Sequence, residues 1–501
     1  MKEAILGIDV GTSSIKCNLY GIKGEDIISC SNQYDLNNTR PGILEIDPVI
    51  LWKSVVKSIL RINELNKQNY NIIAVGICAI MIMPVLLDSK NDIVRPIIHW
   101  LDERLRKQCL EIKKEGKDKI ISTYSGSVIT GESTVNALLW IKRYEPEVYK
   151  KIGKLVMLKD YIRFKLTGEI ISDFGDASGS LMLDTRKWTW STEVLSELGF
   201  NKRIFPDLAK PADIGGYITK EASDLTELKE GTPVAVGTGD GIATIFGLGI
   251  FEDGQTGVTV GSAGVIGTSA IKFPKDDQYR TYTFCHPFCD RWYSMMATAA
   301  SGEVLRWYKD SIVKDNKISY KDLDIEAENA PPGTDSLIFL PYILGSRNPY
   351  SNPTATGMFI GIRHQHDRSY LTRAVIEGIS FELLDLFEIQ KEILKKKSID
   401  INSMKISGGI VRSTFWLQLL ANIFQTDLIT TKVEELGTLG SSIIAAAAVN
   451  VYDNLEIAIQ SMVINTSKIE CDKKYKKIYE NKFIIFRKMY KALETKLDFL
   501  L

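Results

Sequence analysis

Two patterns of apolar residues alternate along this sequence. Short apolar runs have the length of buried strands, whereas longer stretches repeat apolar residues every three or four positions, as one face of a helix does. The predicted strands are 4–8, 15–20, 72–77, 85–88, 233–237, 337–340 and 404–407, and the predicted helices are 48–65, 135–144, 302–308, 371–387 and a segment that starts after Ser413. Strands and helices that alternate in this way predict an α/β fold.

The helix after Ser413 has the clearest pattern. Its apolar residues at helical spacing are Trp416, Leu419, Leu420, Ile423 and Phe424. Ser413 stands where an N-cap hydroxyl is expected. Gly408 and Gly409 come just before it. Glycines in front of a helix N-terminus let a flat base or a ribose approach the backbone, so this turn is a candidate nucleotide contact.

The turn between the first two strands carries candidate chemistry. Gly11 lets a ligand approach closely, and the N–H groups around such a glycine form a concave anion site, to which Thr12 and Ser13 add hydroxyl donors. Asp9 ends the first strand and suits a hard cation such as Mg²⁺ beside phosphate oxygens. Lys16 is either a phosphate ligand or a solvated strand residue. The turn predicts a site for nucleotide phosphates.

A second hairpin of the same composition, residues 254–264, opens the other half of the chain. Gly261 and Ser262 correspond in it to the glycine and hydroxyl residues of the first turn. Two such hairpins predict a duplicated core. The length of 501 residues is too large for one core, so we expect two large domains, 1–244 and 245–501, with a cleft between them. The glycine-dense segment 239–248 at this boundary is a candidate hinge.

Charge and cysteine content restrict the class of protein. The 62 basic and 62 acidic residues cancel, which argues against nucleic acid or an anionic membrane as the main partner. The seven cysteines are scattered and odd in number, unlike a disulfide framework. Because neither a membrane-spanning stretch nor a signal-peptide pattern is seen, we expect a soluble, cytoplasmic protein.

Asp240 is the candidate catalytic residue. It follows an apolar strand and is flanked by Gly239 and Gly241. An aspartate in this position can accept the proton of a substrate hydroxyl that attacks a γ-phosphoryl group. The alternative is a simple cap for the segment that starts at Ile242.

Several motifs in chain order together resemble the FGGY carbohydrate kinases. They are Asp9, Gly11 and Thr12 at the start, Gly239 and Asp240 in the middle, Gly408 and Gly409 late, and the longer segments 158–168, 339–349 and 357–362. The resemblance covers nearly the whole chain. It implies two actin-like, RNase H-like domains that close over ATP·Mg²⁺ and a sugar or polyol, and a homodimer is common among such kinases.

The resemblance also implies roles for individual residues. Asp240 is similar to the family's base and stands near the metal, and Asp9 is similar to its Mg²⁺-associated carboxylate. The implied nucleotide contacts are Gly11, Thr12, Ser13, Lys16, Gly261, Ser262, Gly302, Gly408 and Gly409. The implied sugar contacts are Met81, Trp100, Asp102 and Asp240. For Asp102, the first turn of a helix is an equally good interpretation.

The sequence departs from the family pattern at the predicted sugar site. Relatives that act on xylulose carry a polar Gln-Met-His segment where this chain has Ile80, Met81 and Ile82. A pocket that loses hydrogen-bonding partners loses discrimination between hydroxylated substrates. The alternative is that these residues belong only to the core. Ser346, where a glutamate is common, likewise bears on the choice of substrate.

The leading hypothesis is an ATP-dependent kinase that phosphorylates a terminal hydroxyl of an open-chain sugar, a ketopentose such as xylulose. The same chemistry on gluconate, glycerol or erythritol is the alternative. Two hypotheses from other functional classes stay open, because fold alone does not determine function. One is an actin-like ATPase that switches a protein partner, and the other is an inactive sugar sensor.

Overall fold

The chain forms two compact units, and the computed structural model describes residues 2–34, 42–68 and 70–494. Unit 1 consists of Met1–Phe251, Ile271–Tyr293 and Glu435–Ile464, and unit 2 consists of Glu252–Ala270, Ser294–Glu434 and Asn465–Leu501. In space, two segments from the second half of the chain thus group with the N-terminal part. The division into domains 1–244 and 245–501 stays a prediction.

The main sheet of unit 1 contains both parallel and antiparallel pairs of strands. Along the sheet its strands are Ile214–Tyr217, Pro233–Ala235, Asn71–Ala79, Glu3–Val10, Ser14–Gly21 and Asp26–Gln33, and Thr238–Gly239 also pairs with Asn71–Ala79. The first two strands of the chain form an antiparallel hairpin, and Glu3–Val10 pairs in parallel with Asn71–Ala79.

The main sheet of unit 2 repeats this arrangement. Its strands include, in spatial order, Trp292–Ala297, Gly264–Ala270, Gln255–Val260, Ser403–Gly408, Leu428–Thr431 and Asn465–Ile469. Gln255–Val260 forms an antiparallel hairpin with one neighbour and a parallel pair with the other, as Glu3–Val10 does in unit 1. The predicted duplicated core is therefore confirmed.

Helices and short strands surround these sheets. The helices of unit 1 are Pro48–Leu65, Glu103–Lys114, Asp118–Ser125, Thr134–Tyr144, Pro146–Tyr149, Leu158–Thr167, Phe174–Gly179, Thr192–Glu197, Lys220–Thr226, Asp240–Gly247, Leu436–Ala448 and Leu455–Met462, with a 3₁₀ turn at Lys202–Ile204. Those of unit 2 are Gly302–Trp307, Tyr320–Glu328, Arg368–Lys395, Thr414–Phe424 and Lys476–Leu493, with a π turn at Tyr308–Val313 and 3₁₀ turns at Gly409–Arg412 and Lys473–Tyr475. The short strands are Glu45–Ile46, Pro84–Leu87, Ile97–Ile98, Lys154–Met157, Ser172–Asp173, Leu183–Asp184, Thr189–Trp190, Leu208–Ala209, Ile338–Leu340 and Met358–Ile360. The strand Tyr282–Cys285 pairs with Trp292–Ala297.

The predicted helices are confirmed, with ends that shift by at most one residue except in the predicted helix 371–387, which is longer and spans Arg368–Lys395. Pro48–Leu65 has the predicted bounds, because the Asp47 side chain accepts a hydrogen bond from the Val49 N–H and Pro48 fits the first helical position. Ser413 caps Thr414–Phe424 as predicted, with 2.9 Å from its Oγ to the Trp416 nitrogen. The candidate hinge differs: Asp240–Gly247 is a helix inside unit 1, and the chain leaves that unit after Phe251.

The helix Leu436–Ala448 packs directly against the backbone of the unit 1 sheet. A Cβ on Gly7 would lie 2.3 Å from the Thr438 carbonyl oxygen, and one on Gly76 would lie 2.0 Å from the Ser441 carbonyl oxygen. Only glycine permits so close an approach. Because this helix packs so closely on the sheet, residues 436–448 complete the core of unit 1.

None of the helices in the described ranges combines the length and the apolar character that a membrane span requires.

We expect Gly76→Ala to destabilise the protein by about 1–3 kcal/mol, because the new methyl group would overlap the Ser441 carbonyl and force the helix away from the sheet. Gly261→Ala is the matched control, since its Cβ would have no neighbour closer than 3.9 Å. Urea unfolding of both variants gives the comparison. Equal stability of the two would contradict the packing described here.

Candidate active site

The strand register of unit 1 brings Asp9 and Asp240 to the same edge of the sheet. Asp9 is opposite Cys78 on one side of the strand Asn71–Ala79, and Thr238 is opposite Cys78 on the other. Asp240 follows two residues later, at the start of the helix Asp240–Gly247. Since Asp9 lies at the end of one parallel strand and Asp240 comes directly after another, both residues are at the carboxyl edge, where open α/β sheets bind ligands.

Asp240 is held by backbone donors. Its Oδ1 accepts hydrogen bonds from the Gly241 N–H at 2.7 Å and from the Met81 N–H at 3.2 Å. Burial raises its pKa to about 7, and the negative charge of Asp9 adds to this rise, while the backbone donors oppose it. A carboxylate with this pKa can exchange a proton near neutral pH.

Asp9 lies between a lysine and the N-terminus of the helix Leu436–Ala448. Burial raises its pKa to about 6, and the positive charge of Lys16 opposes the rise. A Cβ on Gly437 would lie 2.7 Å from Asp9 Oδ2, so glycine is required beside the carboxylate. Asp9 Oδ1 is buried and has no hydrogen-bond partner among the described residues. A carboxylate oxygen in that state is suited to a hard cation.

Lys16 is paired within unit 1. Its Nζ lies 2.6 Å from Oε2 of Glu435, and Lys16 is opposite Asp9 in the strand register. The predicted phosphate contact of Lys16 therefore competes with an ion pair to Glu435, and it stays a prediction.

The turn that contains Gly11, Thr12 and Ser13 is closed by its own backbone and by one tyrosine. The Gly11 N–H donates to the Ser14 carbonyl at 3.0 Å. Tyr34 Oη lies 2.6 Å from the Gly11 carbonyl and 2.9 Å from the Thr12 carbonyl. These hydrogen bonds hold the carbonyls of the turn in a defined shape. Because Ser13 is exposed, the turn remains accessible to an anion.

In unit 2 the predicted glycine and hydroxyl residues meet at one end of the sheet. Gly408 is opposite Val260, at the end of the neighbouring parallel strand, with a φ of 89° that favours glycine. The Gly302 N–H donates to the Gly261 carbonyl at 2.9 Å. Gly261 and Ser262 are exposed, and a Cβ on Gly409 would have no neighbour closer than 3.9 Å. This end of the sheet can therefore accept a flat ligand against its backbone.

The predicted sugar contacts differ in their surroundings. Met81 lies beside Asp240, where a Cβ on Gly239 would come within 2.3 Å of Met81 Cγ. Trp100 is half-buried, with its ring centroid 5.5 Å from that of His99. A role in binding sugar stays a prediction for each of these residues.

Asp102 caps the helix Glu103–Lys114, which is the alternative that the sequence left open. Its Oδ1 accepts from the Arg104 backbone N–H at 2.9 Å, and its Oδ2 accepts from the Leu44 N–H at 2.8 Å and from Arg104 Nη2 at 2.7 Å. A sugar hydroxyl at this carboxylate would have to share oxygens that are already hydrogen-bonded.

A buried ionic network supports the strand that leads to Asp240. The Lys159 ammonium lies 2.9 Å from Asp173 Oδ1 and also contacts Asp160. Asp173 Oδ2 in turn accepts a hydrogen bond from Thr238 Oγ1 at 2.8 Å. Because Thr238 precedes Asp240 by two residues, this chain of contacts fixes where the helix Asp240–Gly247 begins.

The sequence did not predict three contributors to the site, which are Tyr34, Glu435 and the N-terminus of the helix Leu436–Ala448. Single side chains such as Tyr34 and Glu435 carry no local signal of a distant contact. The helix does carry one, because Gly437, Gly440 and Ser441 recur at helical spacing and give it a face of small residues. Such a face indicates close packing of backbones.

The structure has two α/β units of like topology, each with a glycine-hydroxyl hairpin at a strand end, and the family comparison gives the class of protein. The N-terminal domain of the FGGY family of carbohydrate kinases matches residues 4–247, and the C-terminal domain matches residues 263–449. The chain belongs to this family and is a carbohydrate kinase with the two-domain, actin-like fold.

Individual relatives cover the chain along its whole length. A xylulose kinase from Lactococcus lactis subsp. lactis (strain IL1403) is 31% identical over 492 residues, which is 97% of this chain and 96% of the relative. Two structures from Lactobacillus acidophilus, a gluconate kinase and a ligand-bound xylulose kinase, superpose with TM-scores of 0.94 and 0.93, each at 27% identity and 100% coverage of both chains.

We expect Lys159→Met to lower the free energy of unfolding by about 3–5 kcal/mol, because it leaves the buried carboxylate of Asp173 without its cation and leaves Asp160 with Arg163 alone. Lys150→Met is the control, since Lys150 is exposed and forms a surface ion pair with the exposed Glu147. Denaturant unfolding measures both. A Lys159→Met protein as stable as the control would show that the network does not hold this region together.

Proposed function

We propose that this kinase transfers the γ-phosphoryl group of ATP to a terminal hydroxyl of an open-chain ketopentose, xylulose. The observation that carries the proposal is the placement of Asp240, which has a raised pKa, beside Asp9 at the carboxyl edge of the unit 1 sheet. The similarity to a xylulose kinase over nearly the whole chain supports the choice of acceptor.

Asp240 acts as the general base in this proposal. It accepts the proton of the sugar hydroxyl as the hydroxyl oxygen attacks the γ-phosphorus, and the bond from phosphorus to the bridging oxygen of ADP breaks. The Gly241 and Met81 N–H groups hold Oδ1, so the carboxylate keeps its orientation. The charge of Asp9 raises the proton affinity of Asp240, and with it the strength of the base.

Asp9 is the residue that would hold Mg²⁺, with Asp240 close by. The buried, unpartnered Oδ1 of Asp9 fits a hard cation. Within the described ranges no three side chains of His, Cys, Asp or Glu gather at one point, so phosphate oxygens and water would supply the other ligands. When bound, Mg²⁺ neutralises charge on the transferring phosphoryl group.

In this proposal, each unit has its own candidate contacts to the nucleotide, and these are backbone and hydroxyl groups of its hairpin. The Gly11–Ser13 turn of unit 1 offers N–H and hydroxyl donors to phosphate oxygens. In unit 2, Ser262 offers its N–H and hydroxyl, and Gly409 leaves space for the adenosine, since its Cβ would have no neighbour closer than 3.9 Å. Gly261, Gly302 and Gly408 shape this end of the sheet, because the Gly302 N–H donates to the Gly261 carbonyl and a Cβ on Gly408 would lie 2.4 Å from the Val260 carbonyl oxygen.

Gluconate is the second candidate acceptor. The fold is as similar to a gluconate kinase as to a xylulose kinase. In addition, Ile82 stands where xylulose-specific relatives have a histidine, and its φ of 63° is uncommon for a β-branched residue. Strained backbone of this kind clusters at ligand sites, and an isoleucine there offers no hydrogen bond to a sugar hydroxyl.

We expect xylulose to stimulate ADP release from ATP·Mg²⁺ more than gluconate, ribulose, glycerol, erythritol or 1-deoxyxylulose does. Comparison of kcat/KM across this panel names the acceptor. Preference for gluconate would replace xylulose and leave the chemistry unchanged. ATP hydrolysis that no compound on the panel stimulates would contradict the proposed function.

We expect Asp240→Asn to reduce kcat at least about a hundredfold while the protein still binds ATP, because the amide cannot accept the proton. In the wild type, kcat/KM for the acceptor should rise with pH through about 7, as Asp240 ionises. Asp224→Asn, at an exposed position, is the control and should keep full turnover. Wild-type turnover in Asp240→Asn would remove Asp240 from the role of base.

The same variant has a second expected effect, on stability. The folded-state pKa of Asp240 lies above its unfolded value, so the stability it contributes is present at acidic pH and is lost as pH rises through about 7. Asparagine carries no charge to bury. Asp240→Asn should therefore melt at a higher temperature than the wild type at pH 8, with the gap closing towards pH 4, whereas Asp224→Asn should melt as the wild type does.

A further inference from the structure

Two of the seven cysteines face each other across neighbouring strands. Cys17 on Ser14–Gly21 is directly opposite Cys30 on Asp26–Gln33 in an antiparallel register. Residues opposite each other in such a pair have Cα atoms about 4.5–5.5 Å apart, which lies within the range that a disulfide spans. The other cysteines of the described chain are not placed opposite one another in a strand register.

The two thiols share one environment. Both lie on the sheet face covered by the helix Pro48–Leu65, where Cys30 Sγ is 3.5 Å from the Ser58 carbonyl oxygen. Cys17 is buried, and Cys30 is half-buried on a strand at the end of the sheet. A reagent that reaches Cys30 therefore finds the second thiol next to the first.

We propose that Cys17 and Cys30 are a dithiol site that closes to a disulfide when it meets a small-molecule disulfide such as oxidised glutathione. The site requires little backbone movement, because the strand register already sets the two side chains side by side. It is independent of the kinase chemistry proposed above.

The chemistry takes two exchange steps. The Cys30 thiolate attacks one sulfur of oxidised glutathione, so a mixed disulfide forms and one glutathione thiolate leaves. The Cys17 thiolate then attacks Cys30 Sγ and displaces the second glutathione. The two protons lost by the cysteines pass to the leaving thiolates; the protein dithiol is oxidised and glutathione disulfide is reduced to two thiols.

Their titration supports this order of events. A hydrogen bond with Cys17 lowers the pKa of Cys30, and the positive charge of Arg61 also lowers it, whereas burial opposes the shift. The same hydrogen bond and burial raise the pKa of Cys17. Cys30 is therefore the thiol that reacts first, and Cys17 resolves the mixed disulfide.

The test uses the full-length protein, reduced, freed of reductant and incubated with oxidised glutathione at pH 8. Remaining thiols are blocked with N-ethylmaleimide after denaturation, and the protein is digested with trypsin. Because trypsin can cut after Lys23, between the two cysteines, a Cys17–Cys30 disulfide is seen as two joined peptides. We expect this joined product, and an intact mass two hydrogens below that of the reduced chain.

Three variants test which cysteine reacts first and which one resolves the mixed disulfide. Cys17→Ser should retain one glutathione on Cys30, because the resolving thiol is gone, and Cys30→Ser should form neither the adduct nor the joined peptides. Cys289→Ser, at another half-buried cysteine, is the control and should behave as the wild type. A wild-type protein that carries only a glutathione adduct, pairs other cysteines, or does not react would overturn the proposal, and this result does not depend on how the variants fold.

Discussion

Backbone-to-backbone packing between the helix Leu436–Ala448 and the sheet beneath it sets the geometry of unit 1. Gly7 and Gly76 on the sheet each leave room for a carbonyl of this helix, and Gly440 on the helix leaves room for the Ala243 carbonyl of the helix Asp240–Gly247. The N-terminus of the helix Leu436–Ala448 consequently lies next to Asp9, and Glu435 just before it reaches Lys16. The surroundings of Asp9, the candidate magnesium ligand, thus depend on glycines that carry no reactive side chain.

A second constraint is electrostatic. Burial raises the pKa of both carboxylates, to about 6 for Asp9 and about 7 for Asp240, and the negative charge of Asp9 adds to the rise for Asp240. Strongly shifted pKa values of this kind cluster at functional sites. The lysine beside Asp9 moderates the rise at that carboxylate, and the network from Lys159 to Thr238 holds the backbone that presents Asp240.

Much of this arrangement was predictable because its signals are local. The first hairpin, the cap at Ser413 and the bounds of Pro48–Leu65 each follow from neighbouring residues, and the family motifs supplied their order. What could not be predicted depends on distant parts of the chain. The partner of Lys16 is 419 residues away, and the two oxygens of Asp102 could have faced either a sugar or a helix N-terminus.

The segment 239–248 shows a different kind of error. Its glycines suggested a flexible crossing, because glycine is common in hinges. In the structure they serve close packing instead: a Cβ on Gly247 would lie 2.2 Å from the Leu436 carbonyl oxygen. Composition alone does not separate these two uses of glycine, since both need the absence of a side chain.

The distant origin of the helix Leu436–Ala448 has a consequence for biosynthesis. When the ribosome has produced the first 251 residues, the long N-terminal segment of unit 1 is present, but the helix that covers its central strands has not been made. The glycine face of those strands therefore stays uncovered until residues 252–434 have been synthesised and the helix follows. Arrival of this helix, rather than folding of the N-terminal segment alone, is then the event that completes the surroundings of Asp9.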